Sequence, residues 1–416
     1  MTIELGFGKT KLKLNINQEN LLGVLQPNQV KVELTGREEV IRALRQPINS
    51  PRLSEIVKPG EKVVFITSDI TRPVPNQIIL PLLLEELWQA GIKKEDVKIV
   101  FALGSHRFHS EEEKKSLVGE AVYRQVECLD SDQRDCIRLG FTRLGTPVDI
   151  FRPVVEADRR ICVGNIEYHY FAGYSGGAKA IMPGVSTREA IQANHSRMVE
   201  AEAHAGNITT NRVRQDIDEV AEFVPIDFIV NVVLNEQKQI IKAVAGHYLD
   251  AHREGCKFLD SLYKVKIKEQ ADIVIVSAGG FPKDINLYQA QKALDNAKHA
   301  VKKNGVIILV ASCKEGLGEE IFQEWMLSAS RPEDLILRIK EKFQLGGHKA
   351  AAIAMVLQHA DIYLVSDLEP DSVKRIFMQP FNSLEAALDQ AFQAKGDAAK
   401  VLVIPYGGST LPYLEL

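Results

Sequence analysis

Cysteine is scarce in this chain. The five residues, Cys128, Cys136, Cys162, Cys256 and Cys313, are odd in number and show no CxxC spacing. That excludes a disulfide framework and a cysteine-built zinc site, and free thiols suit a reducing, cytoplasmic location. Long hydrophobic runs are missing too. The longest, Ala350 to Leu357, has eight residues, four of them alanine, whereas a bilayer span needs about 20. Met1-Thr2-Ile3-Glu4 lacks the basic-then-apolar pattern of a secretory signal, so no membrane partner is expected. Neither sign of charge dominates. The 51 Lys and Arg against 55 Asp and Glu leave −4, with no dense basic run, so no nucleic-acid partner is expected.

The remaining composition is that of a globular chain: 416 residues, 45% apolar and 25% charged. At about 150 residues per domain this implies two or three domains. Short β-branched runs recur at 63–67, 97–102, 161–163, 228–234, 273–276, 306–310, 362–365 and 401–404, separated by helical stretches. Such strands belong to parallel or mixed sheets covered on both faces. One covering helix follows Asn76, with Ile78, Ile79, Leu82, Leu83, Leu87 and Trp88. The expected fold class is α/β: two α/β domains with mainly parallel or mixed sheets and the active site in the cleft between them. The expected division is 1–268, 269–400, and a strand and tail over 401–416 that returns to the N-terminal domain.

Polar groups after strand ends mark the candidate chemistry, because ligands of open α/β sheets bind beyond the carboxyl ends of strands. Ser68-Asp69-Ile70-Thr71-Arg72-Pro73 reads as a helix start or as an anion site built on the Arg72 fork. Gly104-Ser105-His106-Arg107-Phe108-His109 puts two histidines at i, i+3, a metal-chelating spacing if helical, although no third ligand lies nearby. The densest segment runs from Gly164 to Gly184 and contains His169, Ser175, Gly176, Gly177 and Lys179. Its glycines permit close backbone approach, but Ala178 and Ala180 flank Lys179, so it is not a Walker A loop. A lysine in an apolar, glycine-lined site becomes nucleophilic when its pKa falls. His195 follows sixteen residues later. In the last segment Tyr288 and Lys292 share a helix face if a helix starts near Asn286.

Together these segments resemble the nickel-dependent lactate racemase family. The matching motifs are SDxTRPVP at 68–75, GxHR at 104–107, HxFAGxSGGxK at 169–179, ANHS at 193–196 and YQAxK at 288–292. The resemblance implies a nickel-pincer nucleotide, pyridinium-3,5-bisthiocarboxylic acid mononucleotide, joined to Lys179 as a thioamide. Nickel would take one protein ligand, His195, which with soft sulfur donors suits a square-planar site. Asp69, Ser175, Gly176 and Gly177 would lie around the cofactor. Arg72, Tyr288, Gln289 and Lys292 would hold the substrate. His106 and His169 would alternate as general acid and base. The implied reaction is racemisation or epimerisation of a 2-hydroxy acid, with hydride passing to the cofactor and back while the two histidines handle the hydroxyl proton. The implied transient partners are the cofactor-making enzymes.

Two features depart from the family pattern. Ala178 stands where the lactate racemases read SGGRK. A pocket-wall tryptophan is replaced by Gly346-Gly347-His348, with Trp88 and Trp325 elsewhere in the sequence. His348 and the glycines are therefore expected to admit a 2-hydroxy acid longer or more polar than lactate. Two other readings compete. One is a zinc or nickel hydrolase using His106, His169 and His195, which leaves Lys179 unexplained. The other is a non-catalytic nucleotide-binding or cofactor-carrying protein, which leaves the His106–His169 pair unexplained.

Overall fold

Strands buried along nearly their whole length organise two α/β units. The computed structural model describes residues 1–414. One unit is Val30–Asp260; the other joins Met1–Gln29 to Ser261–Leu416.

The unit Val30–Asp260 is built on β1 (Val63–Ser68), β2 (Val97–Ala102), β3 (Glu127–Asp130), β4 (Arg159–Asn165), β5 (Phe228–Leu234) and β6 (Ile240–Gly246). Their order in the sheet is β6-β5-β4-β1-β2-β3. All neighbours are parallel except β5 and β6. The covering helix α1 (Asn76–Gln89) buries Ile79, Leu83 and Leu87 against Phe65, Ile99 and Ile161, while Ile78 and Trp88 stay partly exposed. Filling a Leu-sized site in such a core contributes about 2 kcal/mol per side chain.

The second unit has an all-parallel sheet made of β7 (Ala271–Ser277), β8 (Val301–Val310), β9 (Ala360–Val365), β10 (Gln379–Phe381) and β11 (Val401–Ile404). Its far edge is the strand Leu21–Val24, registered Val401 to Leu21 and Val403 to Val24. The expected division differs from this at both ends of the chain. Residues 1–29 belong with the C-terminal residues because they supply that edge strand. They also form a hairpin, Thr2–Phe7 with Thr10–Asn15, that puts Ile3, Leu5 and Leu14 into the same core. The tail pairs with residues of the expected 1–268, but these lie in the second unit: β11 runs between β7 and Leu21–Val24, and Leu411–Leu414 pairs with Lys264–Ile267. Among the described residues no helix is long and apolar enough to cross a membrane.

Candidate active site

Because β1, β2 and β4 run parallel, their carboxyl ends lie along one edge. The three motif segments leave the sheet there. After β1, the Asp69 carboxylate is buried and accepts from the Thr71 hydroxyl at 2.8 Å. After β2, His106 places Nδ1 2.5 Å from the other Asp69 oxygen. A carboxylate only accepts, so Nδ1 carries the proton and, in the neutral ring, the lone pair sits on Nε2. Burial works against the charge on Asp69, but the bond to His106 and the nearby Arg72 hold its pKa below the usual range. Arg72 itself is exposed.

The neighbouring residues of these motifs have structural roles. The 104–109 segment is not helical, so the chelating spacing does not arise. His109 bonds Asp130 through Nδ1 at 2.6 Å, and its Nε2 accepts the Ile70 N–H at 3.1 Å. It thereby ties the Asp69 loop to the end of β3. Arg107 turns away to a two-pronged pair with Glu113.

After β4 the glycine loop is held from below by residues that its own sequence does not announce. Arg214, fully buried on α3 (Arg212–Glu219), donates to the carbonyls of Ala172, Tyr174 and Gly176. Asn231 of β5 accepts the Gly177 N–H at 2.8 Å. His252 on α4 (Asp250–Tyr263) donates Nε2–H to the Ser175 carbonyl at 2.7 Å. A side chain at Gly176, whose φ is +77°, would meet Asn231 Oδ1 and Ile166, so glycine is required there. Ser175 was expected beside the cofactor. Its hydroxyl instead donates to the Asn165 carbonyl and accepts the Glu167 N–H, each at 2.8 Å. Ser175 and the Gly177 N–H thus shape the loop.

This bracing delivers Lys179 on a short 3₁₀ turn, Gly177–Ala180, where it is 9% exposed. Its ammonium position lies 5.9 Å from the centre of the Phe171 ring. Burial first, then the charges of Arg72 and Arg214, push its pKa well below the lysine range, favouring a neutral, nucleophilic amine. Phe171 is also edge-on to both His169, at 4.4 Å, and His195, at 4.9 Å. His169, half-buried, accepts the Ala172 N–H on Nδ1 at 3.2 Å. The neutral ring therefore carries its proton on Nε2. Burial and the charges of Lys179, Arg72 and His195 press its pKa well below the histidine range. His195 ends α2 (Arg188–His195) and is buried. Lys179, His169 and His195 thus surround one aromatic ring. Among the described residues, no group of three His, Cys, Asp or Glu is placed to hold a metal ion, so the His106–His169–His195 trio of the hydrolase reading does not form.

In the other unit, α5 (Leu287–Ala297) starts at Asn286, whose side chain accepts the Gln289 N–H at 3.0 Å. Tyr288, Gln289 and Lys292 lie in its first turns. The sequence did not mark Lys349 as part of this group. It sits 7% exposed in α7 (Gly347–Leu357), donates to the Tyr288 carbonyl at 2.6 Å and lies 3.9 Å over the Tyr288 ring. Burial and the charge of Lys292 lower its pKa to about 7, while burial pushes Tyr288 up to about 12. Lys349 then binds fewer protons folded than unfolded between about pH 7 and the ordinary lysine value, so its contribution to stability grows as pH rises through that window. In thermal melts, wild type is expected to gain stability relative to Lys349→Met from pH 7 to 10. A constant difference would contradict the assignment.

The Gly346-Gly347-His348 stretch does not open the expected space. A side chain at Gly347 would meet the indole of Trp325, which is fully buried on α6 (Glu320–Ser328). One at Gly346 would meet the Glu319 carboxylate. The tryptophan that is distant in sequence fills the room the glycines provide. His348 is 7% exposed and accepts the Gly346 N–H on Nδ1 at 2.9 Å, bracing the start of its own helix.

The model of the lactate racemase N-terminal domain matches residues 7–206, and that of the C-terminal domain matches 266–411. The chain belongs to the lactate racemase family. The lactate racemase of Thermoanaerobacterium thermosaccharolyticum is 35% identical over 98% of both chains, and that of Lactiplantibacillus plantarum 34% over 98% of both. The apoprotein structure of the former superposes with a TM-score of 0.88 at 34% identity, covering 99% of this chain and 100% of that one. A Thermotoga maritima protein at 19% identity shares the fold, with a TM-score of 0.63 over 92% of this chain and all of its own. The two family domains together span most of the chain.

Proposed function

We propose that the protein is a racemase of 2-hydroxy acids, lactate among them, working with a nickel-pincer nucleotide on Lys179. The observation that carries this reading is the buried lysine with a depressed pKa at the end of a braced glycine loop, sharing Phe171 with His169 and His195. The residues fit the group. Lys179 offers a neutral amine for a thioamide bond, and His195 offers a borderline nitrogen donor suited to nickel beside sulfur. The positive charge of Arg72 acts on both Lys179 and His169, and an anion would relieve it. When bound, the group supplies a hydride acceptor, which the α-hydrogen of a 2-hydroxy acid needs because it is poorly acidic.

The protein's own part is proton handling and orientation. His106, with Nδ1 anchored on Asp69, presents Nε2 as the base for the substrate hydroxyl. The adjacent carboxylate stabilises the imidazolium that results. His169, kept neutral by burial and by the nearby charge of Arg72, offers its Nε2–H to the substrate oxygen. Arg72 takes the carboxylate by its fork, and Tyr288, Gln289 and Lys292 are groups suited to holding an anion. A cytoplasmic location and transient contact with cofactor-making enzymes go with this reading.

Trp325 fills the space behind the glycines, so the Gly346-Gly347 stretch gives no room to favour a substrate larger than lactate. Enzyme co-expressed with the cofactor-making enzymes is expected to convert either lactate enantiomer to the racemate, followed by chiral chromatography. A panel of single-enantiomer 2-hydroxy acids ranks the side groups, each methylene changing kcat/KM by only ~10–200-fold. No inversion of any member in loaded enzyme would overturn the assignment.

A further inference from the structure

Asp216 is fully buried in the middle of α3. Its carboxylate accepts from three neutral donors: the Thr142 hydroxyl, the Thr146 hydroxyl at 2.6 Å and the Asn194 side-chain amide at 2.7 Å. The same Asn194 nitrogen also donates to the Val213 carbonyl at 3.2 Å. Carboxylate and carbonyl oxygens only accept, so both demand the NH2 end of Asn194, and the amide has one possible orientation. Its oxygen then faces His195 Nδ1, 2.8 Å away. An amide oxygen also only accepts. Nδ1 must therefore carry the proton, and the lone pair of the neutral ring falls on Nε2.

We infer that Asp216 is a positioning residue for His195, acting through Asn194 to fix the tautomer that makes Nε2 the metal-binding nitrogen. The inference rests on the reading of His195 as the nickel ligand. A purely structural role accounts poorly for the arrangement. A buried carboxylate satisfied only by neutral donors is costly compared with an apolar side chain of similar size, whereas it imposes one direction on every hydrogen bond of the chain that ends at His195. Metal-binding histidines in general depend on such a partner for the nitrogen that does not touch the metal. The Thr142–Thr146 turn, closed by the Thr142 N–H bond to the Thr146 carbonyl at 2.9 Å, presents both hydroxyls to one carboxylate.

The test uses full-length protein carrying the Lys179 adduct, with nickel affinity read by competition against a chelator and the adduct read by intact mass. Asp216→Asn is expected to keep the adduct and to bind nickel ~10–100-fold more weakly, the usual effect of losing such a partner. The exchange variant Asn194→Asp/Asp216→Asn is expected to recover affinity, because a carboxylate at 194 again accepts from His195 Nδ1 while the amide at 216 donates to it. Asn194→Ala, compatible with the helix, tests the same link if Asp216→Asn fails to fold. His195→Ala is the control and should lose nickel altogether. Wild-type nickel affinity in folded Asp216→Asn or Asn194→Ala, alongside loss in His195→Ala, would overturn the relay but leave the ligand assignment standing. Nickel retained by His195→Ala would overturn both.

Discussion

Lys179→Ala is expected to fold and to show no racemase turnover and no adduct by intact mass. Turnover disappears because no other buried lysine stands in the glycine loop to take the cofactor. Folding is retained because the lysine contributes little to stability. Its amine is pressed toward the neutral form by burial and by Arg72 and Arg214, a state that costs free energy at neutral pH relative to the solvated ammonium of the unfolded chain. Alanine is well tolerated in a helical turn. The melting midpoint of the variant should therefore not fall as far as for a core truncation, which costs about 2–5 kcal/mol. A full adduct on Lys179→Ala would remove the anchor assignment.

His106→Ala and His169→Ala are each expected to keep adduct and nickel while kcat falls by ~10²–10⁴, the range for loss of a general acid or base. The two rings are not equivalent. His106 has a carboxylate on Nδ1 to stabilise its charged form, whereas His169 accepts a backbone N–H there and faces cations. Both directions of racemisation should nevertheless fall together in each variant, since mirror-image lactates are equal in free energy. Kinetics from each pure enantiomer, with nickel analysis on the same samples, check this. Release of nickel by His106→Ala would mean that ligand and base are interchanged.

Much of the fold was legible because parallel strands are apolar along their length: β1 and β11 read as strands from their own residues, whereas only the 306–310 half of β8 did, its start being Val301-Lys302-Lys303-Asn304. The motif segments were legible because they directly follow such strands. What could not be read depends on partners distant in the chain. Leu21–Val24 looks like an N-terminal fragment until it pairs with Val401–Val403. Nothing local tells that Arg214, Asn231 and His252 brace the glycine loop, or that Lys349 lies on the Tyr288 ring. Gly347 suggested empty space because glycine has no side chain, but Trp325, 22 residues earlier in the sequence, occupies that space. The motif puts Ser175 around the cofactor, whereas its hydroxyl finds partners at Asn165, the end of β4, and at Glu167.

Intact mass of wild-type protein co-expressed with the cofactor-making enzymes reads whether the cofactor is covalently bound. The expected result is an added mass of mononucleotide size, mapped by peptide analysis to Lys179, with one nickel per chain. A preparation that racemises lactate with the unmodified mass of the 416-residue chain would contradict it.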